Sequence, residues 1–290
     1  GIMNDIRPIK QVFKGQPTME GAGVRLKRAF GFSEAPELDP FLLLDDFHSD
    51  NPEHYIKGFP WHPHRGIETI TYVLHGDIEH GDSMGNRGSI GSGDVQWMTA
   101  GSGVIHQEMP QGSASGLMWG FQLWANLQAA QKMMAPRYRD ITAAEIPDLE
   151  LENGVRVKII SGSINDVKGP VQDIVIEPQY LDITLPAETD YWHPVEPDHT
   201  VFVYVFEGNG FFGRGKSDLV QTETLVLFDP GARVAARAGE QGMRFILVSG
   251  KPLNEPVAWH GPIVMNTRDE LETAFREYRE GTFIKESGQK

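Results

Sequence analysis

The sequence predicts an all-β protein with two tandem barrels and a single C-terminal helix. Its 32 glycines and 19 prolines interrupt short apolar runs, a pattern typical of strands joined by tight turns. The chain also repeats itself: TITYVLHG at 69–76 resembles VFVYVFEG at 201–208, and VQWMTAG at 95–101 resembles LVLFDPG at 225–231. The copies lie 132 and 130 residues apart and keep their order, so we expect two similar β-domains that arose by duplication.

The first half of the chain holds the strand candidates of the first barrel, which are separated by glycine-rich turns. They are Ile9–Phe13, Val24–Ala29, Phe41–Phe47, Glu68–His75, Glu79–Asp82, Gln96–Ala100, Val104–Met109 and Leu117–Leu123. Residues 128–134 are expected to form a short helix that ends near Pro136. The polar stretch 136–152 shows no clear periodicity, and we interpret it as the connection between the domains.

The second half resumes the β pattern and then changes to a helical one. Its strand candidates are Val155–Ile160, Val171–Ile176, Tyr180–Leu185, Thr200–Glu207, Gly210–Phe212, Thr224–Phe228, Arg233–Ala238 and Arg244–Ser249. Thr267 and Glu270 have the spacing of a capping box, and Gly281 is placed to end the helix that follows. The predicted organisation is an N-terminal domain at 1–135, a connection at 136–152, and a C-terminal domain with the terminal helix at 153–290.

Composition narrows the classes of function. The net charge of −14 argues against a basic nucleic-acid-binding surface, although it does not exclude a protein partner. The absence of cysteine excludes disulfides and thiolate ligands. No apolar run approaches the roughly 18 residues needed to span a membrane, and the start lacks the layout of a signal peptide. We expect a monomer in the cytoplasm, or in the nucleus as well if the source is eukaryotic.

Two short motifs place metal-competent side chains two residues apart. They are His62-Pro63-His64 and His106-Gln107-Glu108. Because side chains in a strand alternate between its faces, each pair points to one side, and together the pairs predict a four-ligand metal site. Imidazole and carboxylate ligands without thiolate suit Fe(II), Mn(II) or Ni(II), and zinc as well.

A second carboxylate, Glu68, competes with Glu108 as the fourth ligand because it has the same parity as His62 and His64. Glu68 lies about 13 Å past His64 along an extended strand, whereas Glu108 lies about 7 Å from His106, at roughly 3.3 Å per residue. We therefore predict Glu108 as the ligand. Glu68 is expected to have a structural role or to orient a metal ligand by a hydrogen bond without binding the metal, as carboxylates near metal sites often do.

The order of these motifs is similar to the two motifs of cupins, which are jelly-roll-like β-barrels. The longer strings GFPWHPHRGIETITY, GDVQWMTAGSGVIHQEMP and PIVMNT…AFREYREGTF resemble the pirins, a family with two cupins, over nearly the whole chain. This resemblance implies one mononuclear iron in the N-terminal cupin, with open positions for water or substrate. The ligands that it implies are His62, His64, His106 and Glu108.

The resemblance to pirins implies one of two functions. As an enzyme, the chain would be a quercetin 2,3-dioxygenase, which inserts O2 into a flavonol, cleaves its ring and releases CO. Glu108 would then also accept the proton of the substrate hydroxyl. As a regulatory protein, the chain would be a transcription cofactor or would bind a metabolic enzyme, with the oxidation state of the iron as a switch. Composition suits both functions, and we favour the enzyme.

The second copy of the repeat has lost the ligand pattern. Aligning the repeats predicts apolar or mismatched residues at the four ligand positions, namely Pro194 for His62, Glu196 for His64, Ala236 for His106 and Ala238 for Glu108. His193 and His199 stand without a second pair. We expect this domain to serve as packing or as a partner surface.

Other residues near the motifs in sequence could belong to the site. His75 and His80 flank a turn and are expected to be exposed. Six large side chains are expected either to form an apolar pocket for a flat aromatic substrate or to be ordinary barrel core: Trp61, Trp97, Met98, Trp119, Phe121 and Trp124. Only one parity of the strand Leu117–Leu123 can face the site.

Overall fold

The computed structural model describes residues 5–171, 178–215 and 218–285. In its first half the strands are β1 (Ile9–Lys14), β2 (Gln16–Glu20), β3 (Val24–Phe30), β4 (Phe41–Ser49), β5 (Phe59–His64), β6 (Ile67–His75), β7 (Asp77–Asp82), β8 (Arg87–Ile90), β9 (Val95–Thr99), β10 (Val104–Gly112), β11 (Met118–Asn126) and β12 (Arg137–Ile141). The later strands are β13 (Asp148–Glu150), β14 (Arg156–Ser161), β15 (Ser163–Ile164), β16 (Val167–Lys168), β17 (Gln179–Leu185), β18 (Asp190–Pro194), β19 (Thr200–Phe212), β20 (Thr224–Phe228), β21 (Arg233–Gly250), β22 (Ala258–His260) and β23 (Ile263–Met265).

Helical structure is limited to the terminal helix α1 (Arg268–Glu280) and short 3-10 turns in the described ranges. The turns are Ala35–Leu38, Pro52–His54, Ala129–Gln131, Ala143–Glu145 and Glu152–Gly154. No helix in these ranges is long and apolar enough to cross a membrane. The predicted capping box is confirmed at Thr267 and Glu270, and Gly281 ends α1 with a left-handed φ of 77°.

The chain divides into two compact units, neither of which is continuous in sequence. The first unit comprises residues 17–31, 41–143 and 253–290, and the second comprises residues 1–16, 32–40 and 144–252. The strand β1 pairs with β20 in the second unit, whereas α1 packs on β22 and β23 in the first. The units thus exchange terminal segments, which the continuous boundaries drawn from the sequence at 1–135 and 153–290 do not reproduce.

The first unit consists mainly of two facing antiparallel sheets. The larger sheet has the strand order β12-β9-β6-β11-β4-β3-β2, and the smaller has the order β5-β10-β7-β8. Phe47, Val73 and Met118 of the larger sheet meet Ile78 and Ile90 of the smaller in one buried cluster. This apolar cluster packs the two sheets against each other.

The second unit is organised around one long strand. Residues 233–237 of β21 pair with β18, and residues 243–249 of the same strand pair with β17. Its core is apolar and tightly packed, with the rings of Phe212 and Phe245 meeting edge to face at 5.2 Å between centroids.

The predicted internal repeat appears directly in the strand pairing. Tyr72 of β6 lies opposite Val95 of β9, and Tyr204 of β19 lies opposite Leu225 of β20. These partners are separated by the same 132 and 130 residues as the sequence repeats (72 to 204 and 95 to 225). The two units therefore reproduce the same pairing register, as a duplication would leave it.

Two local expectations fail. The stretch 136–152 is not a featureless connection, since β12 extends the larger sheet of the first unit by pairing with β9. Only a 3-10 turn, Ala129–Gln131, forms where a short helix was expected. Beyond Val171, the strand candidate Val171–Ile176 lies outside the described residues.

Candidate metal centre

Strands β5 and β10 bring three histidines together. In their antiparallel pairing His62 lies opposite His106, and His64 lies opposite Val104. The Nε2 atom of His62 is 3.1 Å from Nε2 of His64 and 2.8 Å from Nε2 of His106. The ligand atoms of all three rings lie within 4.8 Å of one another.

Backbone carbonyls set the tautomers of two of these rings. Nδ1–H of His62 donates to the carbonyl of Pro60 at 2.7 Å, and Nδ1–H of His64 donates to the carbonyl of Pro262 at 2.9 Å. A neutral imidazole that donates from Nδ1 has its lone pair on Nε2. Both lone pairs are therefore available where the three Nε2 atoms meet.

Burial keeps the three rings neutral. It lowers the pKa of His64 to about 3, with a further contribution from His62. Burial also lowers the pKa of His62, and it holds the pKa of His106 well below its ordinary value. Neutral imidazole is the metal-binding form, so protons compete little with a cation for these nitrogens at neutral pH.

Two of the three spacings between the ring nitrogens fit a bound cation. Two nitrogens at about 2.0–2.1 Å from one ion and at a right angle to each other are about 2.9 Å apart. The spacings of 2.8 Å and 3.1 Å match that value. Because the donors are imidazoles with a nearby carboxylate and no thiolate, the cluster can bind a divalent transition metal.

Glu108 lies at the edge of this cluster. Its Oε1 is 3.7 Å from Nε2 of His106, and it accepts a hydrogen bond from Nε2 of Gln122 at 3.1 Å. Nε1–H of Trp124 in turn donates to Oε1 of Gln122 at 3.3 Å. Burial raises the pKa of Glu108, and the hydrogen bond from Gln122 opposes that rise. Gln122 therefore holds the carboxylate from the opposite sheet.

Glu68 is placed elsewhere, on the other face of the larger sheet from Gln122. Its Oε2 accepts hydrogen bonds from Nε1–H of Trp97 at 2.7 Å and from the hydroxyl of Thr99 at 2.8 Å. The parity argument fails at Gly66, which has a left-handed φ of 84° between β5 and β6 and breaks the alternation. These contacts favour the structural role for Glu68.

Not all of the six large side chains near the motifs in sequence lie beside the three histidines. Of the six, Trp124 contacts a cluster histidine, with its ring centroid 5.2 Å from that of His64. Trp119 instead stacks on His48 at 3.8 Å, Trp97 is buried against Glu68, and Trp61 is half exposed. Gln122 and Trp124 of β11 thus face the site, and the residues that alternate with them along the strand face away from it.

Two partners of Trp124 come from segments that the sequence did not connect with the site. The ring of Trp259 lies 6.2 Å from that of Trp124, and Tyr138 joins both, with Met84, around the same core. We call Trp124, Tyr138 and Trp259 the aromatic rim. All three are partly exposed.

His75 is exposed as expected, but the same expectation for His80 is wrong. His80 is only 7% exposed and lies opposite Glu108 in the pairing of β7 with β10. Its ring is 2.6 Å from the hydroxyl of Tyr138 and 3.2 Å from Oδ2 of Asp140. The alternation of β7 could have shown that His80 faces inward, had its pairing partner been known.

The second unit retains one histidine at a ligand-equivalent position. In the pairing of β18 with β21, Tyr191 lies opposite Ala236 and His193 lies opposite Val234. These pairs correspond to His62 with His106 and to His64 with Val104, so Tyr191 and His193, not Pro194 and Glu196, occupy the two positions. A shift of three residues between the repeats caused the misalignment. The hydroxyl of Tyr191 donates to Nδ1 of His193 at 2.9 Å, and Nε2–H of His193 donates to Gln179 at 3.0 Å.

Comparison with known protein families agrees with this architecture. The family model for pirin matches residues 23–125, and the model for the pirin C-terminal cupin domain matches residues 180–284. The chain belongs to the pirin family. A pirin-like protein of Caulobacter vibrioides is 44% identical over 279 residues, covering 96% of this chain and 99% of that protein. A Pseudomonas aeruginosa protein provisionally named quercetin 2,3-dioxygenase is 42% identical over 283 residues, covering 96% of this chain and 99% of the relative.

Solved structures show that the pirin fold extends over the chain. A quercetin 2,3-dioxygenase from Acinetobacter baumannii is 32% identical, with a TM-score of 0.88 over 96% of this chain and 98% of that one. The Escherichia coli pirin YhhW, determined in complex with nickel(II), is 21% identical, with a TM-score of 0.63 over 83% of this chain and 98% of that one. The predicted all-β fold of two tandem cupin barrels with a C-terminal helix is confirmed.

Proposed function

We propose that this pirin is a metal-dependent dioxygenase that cleaves a flavonol, in the manner of a quercetin 2,3-dioxygenase. The observation that carries the proposal is the convergence of three neutral imidazole nitrogens beside a buried carboxylate, with Trp124 of the aromatic rim against His64. The similarity to the Acinetobacter baumannii quercetin 2,3-dioxygenase supports it. In the proposed reaction both atoms of O2 enter the flavonol, the ring opens and CO leaves.

His62, His64, His106 and Glu108 would hold the metal. We favour Fe(II), since an imidazole and carboxylate donor set suits it, and Mn, Ni or Zn are the alternatives. When bound, the metal supplies the Lewis-acid and redox chemistry of the reaction. The carbonyls of Pro60 and Pro262 keep Nε2 of His62 and His64 unprotonated, so both nitrogens are ready to coordinate.

The remaining side chains bind and orient the flavonol. The rings of Trp124, Tyr138 and Trp259 offer flat apolar surface for its fused rings, which also keeps water away. Glu108 would accept the proton of the flavonol hydroxyl. Burial raises the pKa of this carboxyl, and a carboxylate with a raised pKa is a better base near neutral pH. Gln122 would steer it by the 3.1 Å hydrogen bond to Oε1.

The test is aerobic turnover of quercetin by protein loaded with Fe(II), and separately with Mn(II), Ni(II) or Zn(II). We expect loss of quercetin absorbance and release of CO by wild type, and neither by His62→Ala. His193→Gln is the control variant, because it removes a buried histidine at the position of the second unit that corresponds to His64. Fully metal-loaded wild type that leaves quercetin intact would refute the proposed activity.

A further inference from the structure

The C-terminal segment of the chain touches the candidate metal centre directly. The turn between β22 and β23 supplies the Pro262 carbonyl, 2.9 Å from Nδ1 of His64. Just beyond it, the amide of Val264 donates to the carbonyl of Arg65 at 3.1 Å, and Ile263 forms a bridge with Arg65. A residue almost 200 positions away in sequence thus determines which ring nitrogen of His64 carries the proton.

Arg65, the neighbour of His64, ties this segment down. It is 1% exposed, and its guanidinium makes contacts in several directions. Nε–H donates to the carbonyl of Ser102 at 2.6 Å, and Nη2–H donates to the carbonyl of Phe283 at 2.9 Å. Nη1 lies 3.3 Å from the carboxylate of Glu277, which also pairs with Lys285, and the guanidinium stacks 4.4 Å from the ring centroid of Phe283.

A second buried basic side chain, that of Lys132, also contacts this segment. Nζ of Lys132 donates to the carbonyls of Gly66 and Val264, both at 2.9 Å, and to Oδ1 of Asn126 at 2.6 Å. Lys132 is also 1% exposed. Lys132 therefore joins Gly66, just after β5, to Val264 of β23. Pro262 directly precedes β23, so its carbonyl lies beside backbone that is fixed on both strands.

We propose that residues 258–285 are a working part of the metal centre, and that Arg65 is the positioning residue that holds them in place. Its guanidinium binds Phe283 and Glu277, and Phe283 packs in one buried cluster with Ile263, the residue next to the Pro262 carbonyl. The carbonyl keeps the His64 ring in the Nδ1–H tautomer and directs Nε2 toward the metal. This inference rests on the proposed metal site, but the tautomer itself is a property of the metal-free protein. It predicts that the ligand geometry depends on the far end of the chain.

The test compares Arg65→Met with Arg7→Met. Arg7 is likewise 1% exposed, and its guanidinium donates to backbone carbonyls of the second unit, including those of Gly231 and Glu196. Removing it therefore costs comparable buried hydrogen bonds without touching the metal centre. Ni(II) and Fe(II) affinity is measured by chelator competition on the full chain. The tautomer of His64 is read from its ring 15N shifts in metal-free protein, assigned with His64→Gln.

We expect Arg65→Met to lose about 10- to 100-fold in metal affinity, the usual effect of disturbing a group that orients a ligand. Its His64 should show a mixture of tautomers, while Arg7→Met keeps wild-type affinity and a single Nδ1–H form. Equal affinity losses in the two variants, or a single Nδ1–H form in folded Arg65→Met, would overturn the inference.

Arg65→Lys keeps the positive charge but reaches fewer of the hydrogen-bond acceptors. This variant tests the role of Arg65 if Arg65→Met does not fold. We then expect an intermediate affinity and a partly mixed tautomer, and wild-type values for both would contradict the inference. If wild type binds neither metal, the proposed metal site fails. In that case the 15N measurement still tests the role of Arg65 in metal-free protein. A failure of the metal site can therefore be distinguished from a failure of the role of Arg65.

Discussion

His193 should make the second unit sensitive to acid. Its burial lowers its pKa to about 4, whereas a histidine in an unfolded chain titrates near 6.5. Between these values the unfolded state binds the extra proton, so the free energy of unfolding rises with pH and falls on acidification. At about pH 5 the unfolded state gains roughly 2 kcal/mol from this one residue, at about 1.36 kcal/mol per pKa unit. Near pH 7.5 the same contribution vanishes.

The variant His193→Gln isolates this contribution. Glutamine can still bond Tyr191 and Gln179 but does not titrate, so its cost to stability should be the same at every pH. Urea unfolding of metal-free wild type and variant is measured at about pH 7.5, 6 and 5. We expect the stability of wild type relative to the variant to fall by about 2 kcal/mol from pH 7.5 to 5. A difference that stays constant across this range would show that His193 is not held neutral by burial.

Three further outcomes test the site and the fold. Glu68→Gln should change metal affinity by less than about threefold, roughly 0.6 kcal/mol, whereas Glu108→Gln should weaken metal binding by more than that. Chelator competition on both variants shows which carboxylate is the ligand. Gln122→Leu removes a hydrogen bond that stabilises the Glu108 carboxylate, so the acid limb of the pH profile of kcat/KM should move to higher pH, and a limb that moves down would contradict the base role. Thr267→Ala removes the helix cap and should lower the free energy of unfolding by about 1 kcal/mol in urea titrations, with Thr282→Ala as a control outside the helix.

The roles of some histidines can be predicted from local sequence, whereas those of others depend on strand pairing. The i, i+2 spacing identifies His62, His64 and His106, because strand alternation is a local property of the backbone. The exposure predicted for His80 is wrong because its inward direction depends on the pairing of β7 with β10. The equivalence of His193 with His64 likewise became visible only through the register of β18 on β21.

The all-β class, the duplication, the capped terminal helix and the histidine spacing can all be predicted from the sequence. Each of these depends on the periodicity or chemistry of residues close together in the chain. Three other features require the folded chain: Pro262 sets the tautomer of His64, Trp259 and Tyr138 join the aromatic rim, and the units exchange their terminal segments. Such contacts join residues far apart in sequence, and they depend on which strands pair and in what register, which no local pattern specifies.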